Sequence, residues 1–325
     1  MKFSIWLPTG VLHDFSGYAD PVQAYEALAE LAYAADDTPF DTVWTADHFE
    51  PYPATPDFVF ESWTTLAALA RDTNRVRIGQ MVTGNGYRNP ALQAKMASTL
   101  DVLSRGRFRF GIGAGNYEDE YRDYGYEFPD GAQRVHQLQE AVQIILSMWT
   151  NTETTFQGDF YRLRHALNDP KGVQKPHVPL LIGGGGEKGT LRLVAEYGDA
   201  CNVVASPSEL ARKYGLLKEH CAHVGRDYNS ITLTSMSYCI IGDSDEEARA
   251  AIPAWASVVV FPGDIGSYGL IGTPETIRER IAAYADAGVQ ELVLRFHEPF
   301  TTDIVRRFAS EFALTTPKFA VPALA

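Results

Sequence analysis

Short apolar runs alternate along the whole chain with longer stretches in which apolar residues recur at three- and four-residue spacing. Phe3 to Pro8, Thr42 to Ala46, Val76 to Val82, Arg107 to Gly113, Pro179 to Gly184, Ala200 to Val204, Ile231 to Ile241 and Glu291 to Phe296 read as eight strands. Between them, Ala24, Leu28, Leu31 and Ala32 mark one helical face, and Val142, Ile145, Leu146 and Trp149 mark another. Asp20-Pro21 and Thr273-Pro274 each supply an N-cap followed by proline at the first helical position. Strands alternating with helices, with no linker rich in Gly, Ser or charge, predict one (β/α)8 TIM barrel over residues 1–325.

Two segments exceed the short connections of a plain barrel. Residues 151–177 contain TFQGDFYRL, two extended pieces about Gln157-Gly158-Asp159 that read as a hairpin. Residues 261–273 are rich in glycine and aromatic side chains. A lid or interface piece is one reading of each insertion, an ordinary connection the other.

Three strand ends carry chemistry. In TVWTADHF the apolar run stops at Asp47-His48, an acid and an imidazole delivered together. Alone, this is equally a strand followed by an Asx-type turn. In a barrel it falls at the carboxyl mouth, where such enzymes keep their active residues. In PLLIGGGGEKGT, strand, Gly183-Gly184-Gly185-Gly186 and a helix opening near Glu187 come in the order that phosphate binding needs. Glycines let backbone approach an anion, free amides at a helix start point at it, and Lys188 and Thr190 add a charge and a hydroxyl. The segment matches neither a Walker loop nor the dinucleotide fingerprint. VRIGQMVTGNGYRNP places Thr83, Gly84, Asn85 and Gly86 at the same rim, with a helix opening at Asn89-Pro90. FGIGAGNYEDEY places Asn116 there, with no helix predicted immediately after it.

Composition trims the possibilities. A net charge of -13, from 28 basic and 41 acidic residues, argues against a nucleic-acid partner, which needs a basic face. Three scattered cysteines exclude a disulfide framework, and the histidines, His297-Glu298 after the last strand included, show no metal-ligand spacing, so no metal is expected. No window approaches the roughly 20 apolar residues of a membrane span, and MKFSIWLPTG is too short for a signal segment; a soluble, cytoplasmic protein with no membrane partner is expected.

ADHF, the block GNGYRNPALQAKMASTLDVLSRGRFRFGIGAGNYEDEY and LIGGGGEKGTLRLVAEYGDA closely resemble the luciferase-like monooxygenase superfamily, and the likeness extends to GTPETIRERI near the end. Within it the chain is most similar to the branch that uses the deazaflavin coenzyme F420. The resemblance implies a bacterial luciferase-like barrel with a flavin-type ring at its mouth. His48 falls on the histidine implicated in proton transfer, and Asp47 would orient it or hydrogen-bond the cofactor. A bulged non-proline cis peptide falls at Met81-Val82, and the phosphate site at Gly183, Gly184, Gly185 and Gly186. Thr83, Asn116 and Glu187 complete the implied cofactor contacts. Where sugar-phosphate dehydrogenases of this branch carry an acidic glutamate after Gly-x-Gly, this chain has Asn116, which disfavours glucose 6-phosphate oxidation.

The implied function is hydride transfer between carbon 5 of F420 and a small organic substrate, with His48 exchanging the proton, since imidazole can give or take one near neutrality. One alternative is an FMN-dependent monooxygenase fed reduced flavin by a reductase partner; another is a non-catalytic flavin-binding relative. Relatives are often dimers, which implies a homodimer. Tyr52, Tyr87, Tyr117, Phe261 and Tyr268 suggest a mainly apolar pocket for a substrate that the sequence does not identify.

Overall fold

The computed structural model describes residues 1–256, 260–297 and 299–313, so Glu298 lies outside the described residues. Its strands are β1 (Lys2–Trp6), β2 (Thr42–Thr45), β3 (Arg77–Gln80), β4 (Thr83–Gly84), β5 (Phe108–Gly113), β6 (Thr154–Gln157), β7 (Arg162–Ala166), β8 (Leu180–Gly183), β9 (Ala200–Asn202), β10 (Thr232–Ile241), β11 (Leu270–Gly272) and β12 (Glu291–Phe296). Parallel pairing runs β1-β2-β3-β5-β8-β9-β10-β12 and returns to β1, closing a ring of eight. Each ring member is one of the runs predicted from sequence. β1, β2, β8 and β9 were legible as short, mostly apolar runs buried on both faces, whereas β5, β10 and β12 carry Arg, Thr, Ser or Glu among their apolar residues.

Outward side chains meet the surrounding helices. Phe108 and Phe110 pack on Trp63 of the helix Ser62–Asp72, Phe110 also meets Trp149 of Gly131–Thr150 edge-on at 5.5 Å, and Phe3 meets Phe308 at 5.1 Å. Helix starts obey the predicted signals: Asp20 accepts from the Val22 amide at 2.9 Å, Asn89 from Ala91 at 2.9 Å, and Thr273 from Thr276 at 3.4 Å. Inside the barrel the floor is polar. Glu291 of β12 takes Arg109 of β5 at 2.7 Å, Ser4 of β1 at 2.6 Å and Trp44 of β2 at 3.3 Å, and the Arg109 guanidinium lies over the Trp44 ring. A buried ion pair thus forms part of the barrel floor.

The first insertion forms the expected hairpin, with β6 and β7 antiparallel. Its tip is pinned to the helix Gly131–Thr150, where the Glu140 carboxylate accepts the amides of Asp159, Phe160 and Tyr161. The second insertion holds a short helix, Ile265–Tyr268, and β11, which extends β10 outside the ring. Two element boundaries differ from the sequence reading. The helix after the glycine run begins at Thr190, three residues beyond Glu187, because 187–189 form a turn. A short helix, Glu118–Asp123, does come after Asn116; its all-acidic first turn has no apolar period to announce it. Among the described residues no helix is long and apolar enough to cross a membrane.

Candidate active site at the barrel mouth

A cavity of about 520 Å³ opens at the carboxyl ends of the ring strands. Most of the sequence-predicted site residues line it: Asp47, His48, Met81, Val82, Asn116 and the run Gly183 to Gly186. Thr83 and Glu187 do not. Thr83 is fully buried and donates its hydroxyl to Asp47, while the exposed Glu187 pairs with Arg212 at 2.5 Å. Tyr52, Tyr87 and Tyr117 reach the cavity; Phe261 and Tyr268 are absent from its lining.

The back wall is set by backbone geometry. The peptide between Met81 and Val82 is cis, as the resemblance implied, and directs the Val82 isopropyl between two neighbouring strands. A Cβ on Gly113 of β5 would stand 2.8 Å from Val82, and one on Gly183 of β8 2.7 Å from it, so both strands need glycine there. At the side, Gly184 has φ +127, a conformation that L side chains rarely adopt, and the amides of Gly185 and Gly186 donate to no acceptor among the described residues. Thr190 lies beside them at the helix start. Lys213, on the helix Pro207–Val224, caps the turn from behind by donating to the Gly185 carbonyl at 2.9 Å. An apolar wedge beside a neutral turn of free amides fits a flat ring carrying an anionic tail.

Asp47 and His48 have different partners. Asp47 is buried and forms a two-pronged pair with Arg88, at 2.6 and 3.0 Å; Arg88 also holds Glu61 at 2.8 Å. Burial pushes the Asp47 carboxyl up, and the guanidinium and the Thr83 hydroxyl oppose that. With both oxygens engaged by Arg88 and Thr83, Asp47 makes no hydrogen bond to His48 among the described residues; another acid does.

That acid is Glu120, fully buried on the short helix Glu118–Asp123 and not foreseen from sequence. One of its oxygens, Oε2, accepts from His48 Nδ1 at 2.9 Å and from the Tyr87 hydroxyl. The other, Oε1, takes the Phe49 amide at 2.6 Å and the Glu50 amide at 3.3 Å. Burial works against ionisation, yet His48, Tyr87 and the Phe49 amide together hold the carboxyl below its usual range. Burial and the bond to Glu120 push the Tyr87 phenol up. An ionised carboxylate can only accept, so the network assigns a proton to His48 Nδ1 and leaves Nε2 for the cavity. Tyr117 stands 6.2 Å from the His48 ring, with its phenol pushed up to about 12 by burial and the carboxylates around it.

Away from the mouth, His136, Glu140 and Asp159 bring ligand-type atoms within 4.8 Å of one another at the hairpin tip. Glu140 already serves three amides there, and the group lies outside the cavity.

A sequence profile of the luciferase-like monooxygenase family matches residues 1–265. An F420-dependent glucose-6-phosphate dehydrogenase of Amycolatopsis mediterranei is 34% identical over 162 residues, 49% of this chain and 47% of that protein, so the chain spans about half of that relative's length. The enzyme of the same name from Gordonia bronchialis is 30% identical over 313 residues, covering 88% of this chain and 90% of the relative. Among solved structures, an F420-dependent secondary alcohol dehydrogenase in complex with an F420-acetone adduct superposes with a TM-score of 0.82 at 22% identity, over 96% of this chain and 98% of that one, a likeness of fold. With the profile covering most of its length, and the barrel and its mouth in place, this chain belongs to the luciferase-like monooxygenase family.

Proposed function

We propose that this chain is an F420-dependent oxidoreductase that moves a hydride between the deazaflavin ring and a small organic substrate, with His48 Nε2 exchanging the accompanying proton. The observation that carries the reading is the buried Glu120 on His48 Nδ1, which leaves Nε2 as the free ring nitrogen of a residue that lines the cavity. The dehydrogenases of A. mediterranei and G. bronchialis support the cofactor assignment by their names.

The bound deazaflavin would supply the two-electron chemistry. The residues present divide the remaining work. Val82 and the glycines facing it hold the flat ring, and the free amides of Gly185 and Gly186 hold the anionic tail. Tyr117 lies beside the His48 ring and meets Tyr52 edge to face at 4.7 Å, so the two phenols line the cavity next to His48. Glu120 keeps the proton on Nδ1, so Nε2 takes a proton from a substrate hydroxyl in oxidation and returns it in reduction. Asn116 reaches the same space as a neutral hydrogen-bonding group that cannot exchange a proton.

Titration of the purified protein with F420 and with FMN, monitored by absorbance and fluorescence, tests the reading. F420 is expected to bind; tight FMN binding with no response to F420 refutes the proposal in favour of a flavin monooxygenase. His48→Ala should lower turnover by about 10²-fold or more, and unchanged turnover removes His48 from the mechanism.

A further inference from the structure

A second cavity, of about 530 Å³, opens at the opposite pole of the barrel. Lys2, Arg77, Leu180, Ala200, Thr232 and Glu291 line it, and each is the first residue of its ring strand. Arg109 reaches it from β5, and Asp41 and Asp199 stand just before β2 and β9. The acids are already engaged: Glu291 holds Arg109, Asp41 pairs with Lys2 at 2.7 Å, and Asp199 accepts the Leu180 amide at 2.8 Å. The guanidiniums are not used up. The side-chain hydrogen bonds of Arg109, to Thr42 and to both oxygens of Glu291, all leave from Nη1, as does its 3.6 Å contact with Asp41. Its Nε and Nη2 therefore donate to no acceptor among the described residues, although Arg109 is only 7% exposed. Arg77, exposed on the neighbouring strand β3, makes no side-chain hydrogen bond or ion pair among the described residues. Its charge acts through space: burial works against ionisation of Asp41, but Arg109, Lys2 and Arg77 hold that carboxyl below its usual range.

We infer that this cavity binds a small organic monocarboxylate with an apolar body, held by its head on Arg77 and Arg109. The edge of a guanidinium matches the two oxygens of a carboxylate, and here two such edges come from adjacent strands. Pro179, Leu181, Ala285 and Val289 supply an apolar wall for the rest of the molecule. The volume falls within the ~300–1,000 Å³ usual for small-molecule sites. The acids of the wall limit the charge of the occupant. A dianion such as phosphate would meet Asp41, Asp199 and Glu291 with doubled repulsion, whereas a single carboxylate matches the one cation, Arg77, left unpaired among the described residues. The site lies across the Arg109–Glu291 floor from the mouth, so it does not depend on the cofactor or on the function proposed above.

Calorimetric titration of the full chain with benzoate and hexanoate tests this, with benzamide as the neutral comparison and inorganic phosphate as the more highly charged one. Both carboxylates are expected to bind at about millimolar or tighter and to raise the melting temperature in step with their concentration. Benzamide and phosphate should bind at least about 10-fold more weakly. Arg77→Gln removes the unpaired guanidinium at an exposed position and should weaken benzoate by about 10-fold or more. Ala285→Glu is the second variant. It brings a carboxylate to the cavity from an exposed position of the helix Pro274–Asp286, and should abolish benzoate binding while leaving the melting temperature of the free protein unchanged. The inference is overturned if neither carboxylate binds, if phosphate or benzamide binds as tightly as benzoate, or if benzoate keeps its affinity in either variant, which would place it elsewhere on the chain.

Discussion

Glu120→Gln changes one charge and almost no volume, and its effect is set by the bonds that Glu120 makes. Oε1 accepts two amides, from Phe49 and Glu50, and an amide oxygen can keep both. The new NH2 then occupies the place of Oε2, facing His48 Nδ1 and the Tyr87 hydroxyl. An NH2 cannot accept from Nδ1–H, so the imidazole is driven to carry its proton on Nε2, and the nitrogen at the cavity changes from acceptor to donor. Losing a correctly oriented base by tautomer reversal costs on the order of 10²–10⁴ in rate, or about 3–5 kcal/mol in the barrier. Folding should suffer less, about 1.5–3 kcal/mol, because only the charge-assisted bonds are lost. Stopped-flow reduction of bound F420 by a hydroxyl substrate reports the rate, and a parallel titration should give an unchanged dissociation constant for the cofactor. A variant that folds, binds F420 and turns over within about threefold of the parent refutes the assignment of Glu120 as the group that positions His48.

Gly183→Ala places a methyl group 2.7 Å from Val82, an overpacking expected to cost about 1–3 kcal/mol and to weaken F420 binding; thermal melts should show partial recovery when Val82→Ala is added, and no loss in the single variant contradicts the contact. Arg88→Met strands the buried Asp47 carboxylate, with an expected loss of about 3–5 kcal/mol in urea denaturation, and a loss below about 1 kcal/mol would mean that the pair does not hold the loop. Acid stability has a defined sign: the folded Glu120 carboxyl lies below its usual range, so its contribution is complete above the unfolded glutamate value of about 4.3 and is lost as pH falls through the folded value. Denaturation midpoints measured from neutral to acid pH should therefore fall less steeply in Glu120→Gln, and identical acid limbs would disprove the linkage.

The barrel was legible because every ring strand carries a core of buried apolar residues, even where Arg, Glu, Ser or Thr interrupt it, and because turn residues bound most of them. His48 and the glycine run were legible for the same reason, since each comes directly after a clear strand end. What remained hidden depends on contacts between distant residues. Glu120 meets His48 across 72 positions from a six-residue helix too short and too acidic to show a period. Arg88 sits next to a recognised helix cap, yet its guanidinium turns back 41 positions to Asp47, a pairing that no local pattern encodes. The helix predicted to open near Glu187 began at Thr190 because Glu187 and Lys188 are good helix formers that the glycine turn overrides. Thr83, expected at the cofactor, is instead buried with its hydroxyl on Asp47, a contact between positions 36 apart that no local pattern encodes.

The polar floor bears on the order in which the molecule can be completed. Arg109 lies about a third of the way along the chain, and its principal carboxylate, Glu291, arrives 182 positions later on the last ring strand. Until then Arg109 has the Thr42 hydroxyl at 3.0 Å and, as its acid, the less buried Asp41 at 3.6 Å, while Ser4 and the Trp44 indole lack the acceptor they share. A chain emerging from the ribosome therefore presents His48, Glu120 and the glycine turn well before the barrel beneath them can shut. The floor is thus completed by a carboxylate encoded long after the residues of the mouth above it, and one that makes no hydrogen bond to them among the described residues.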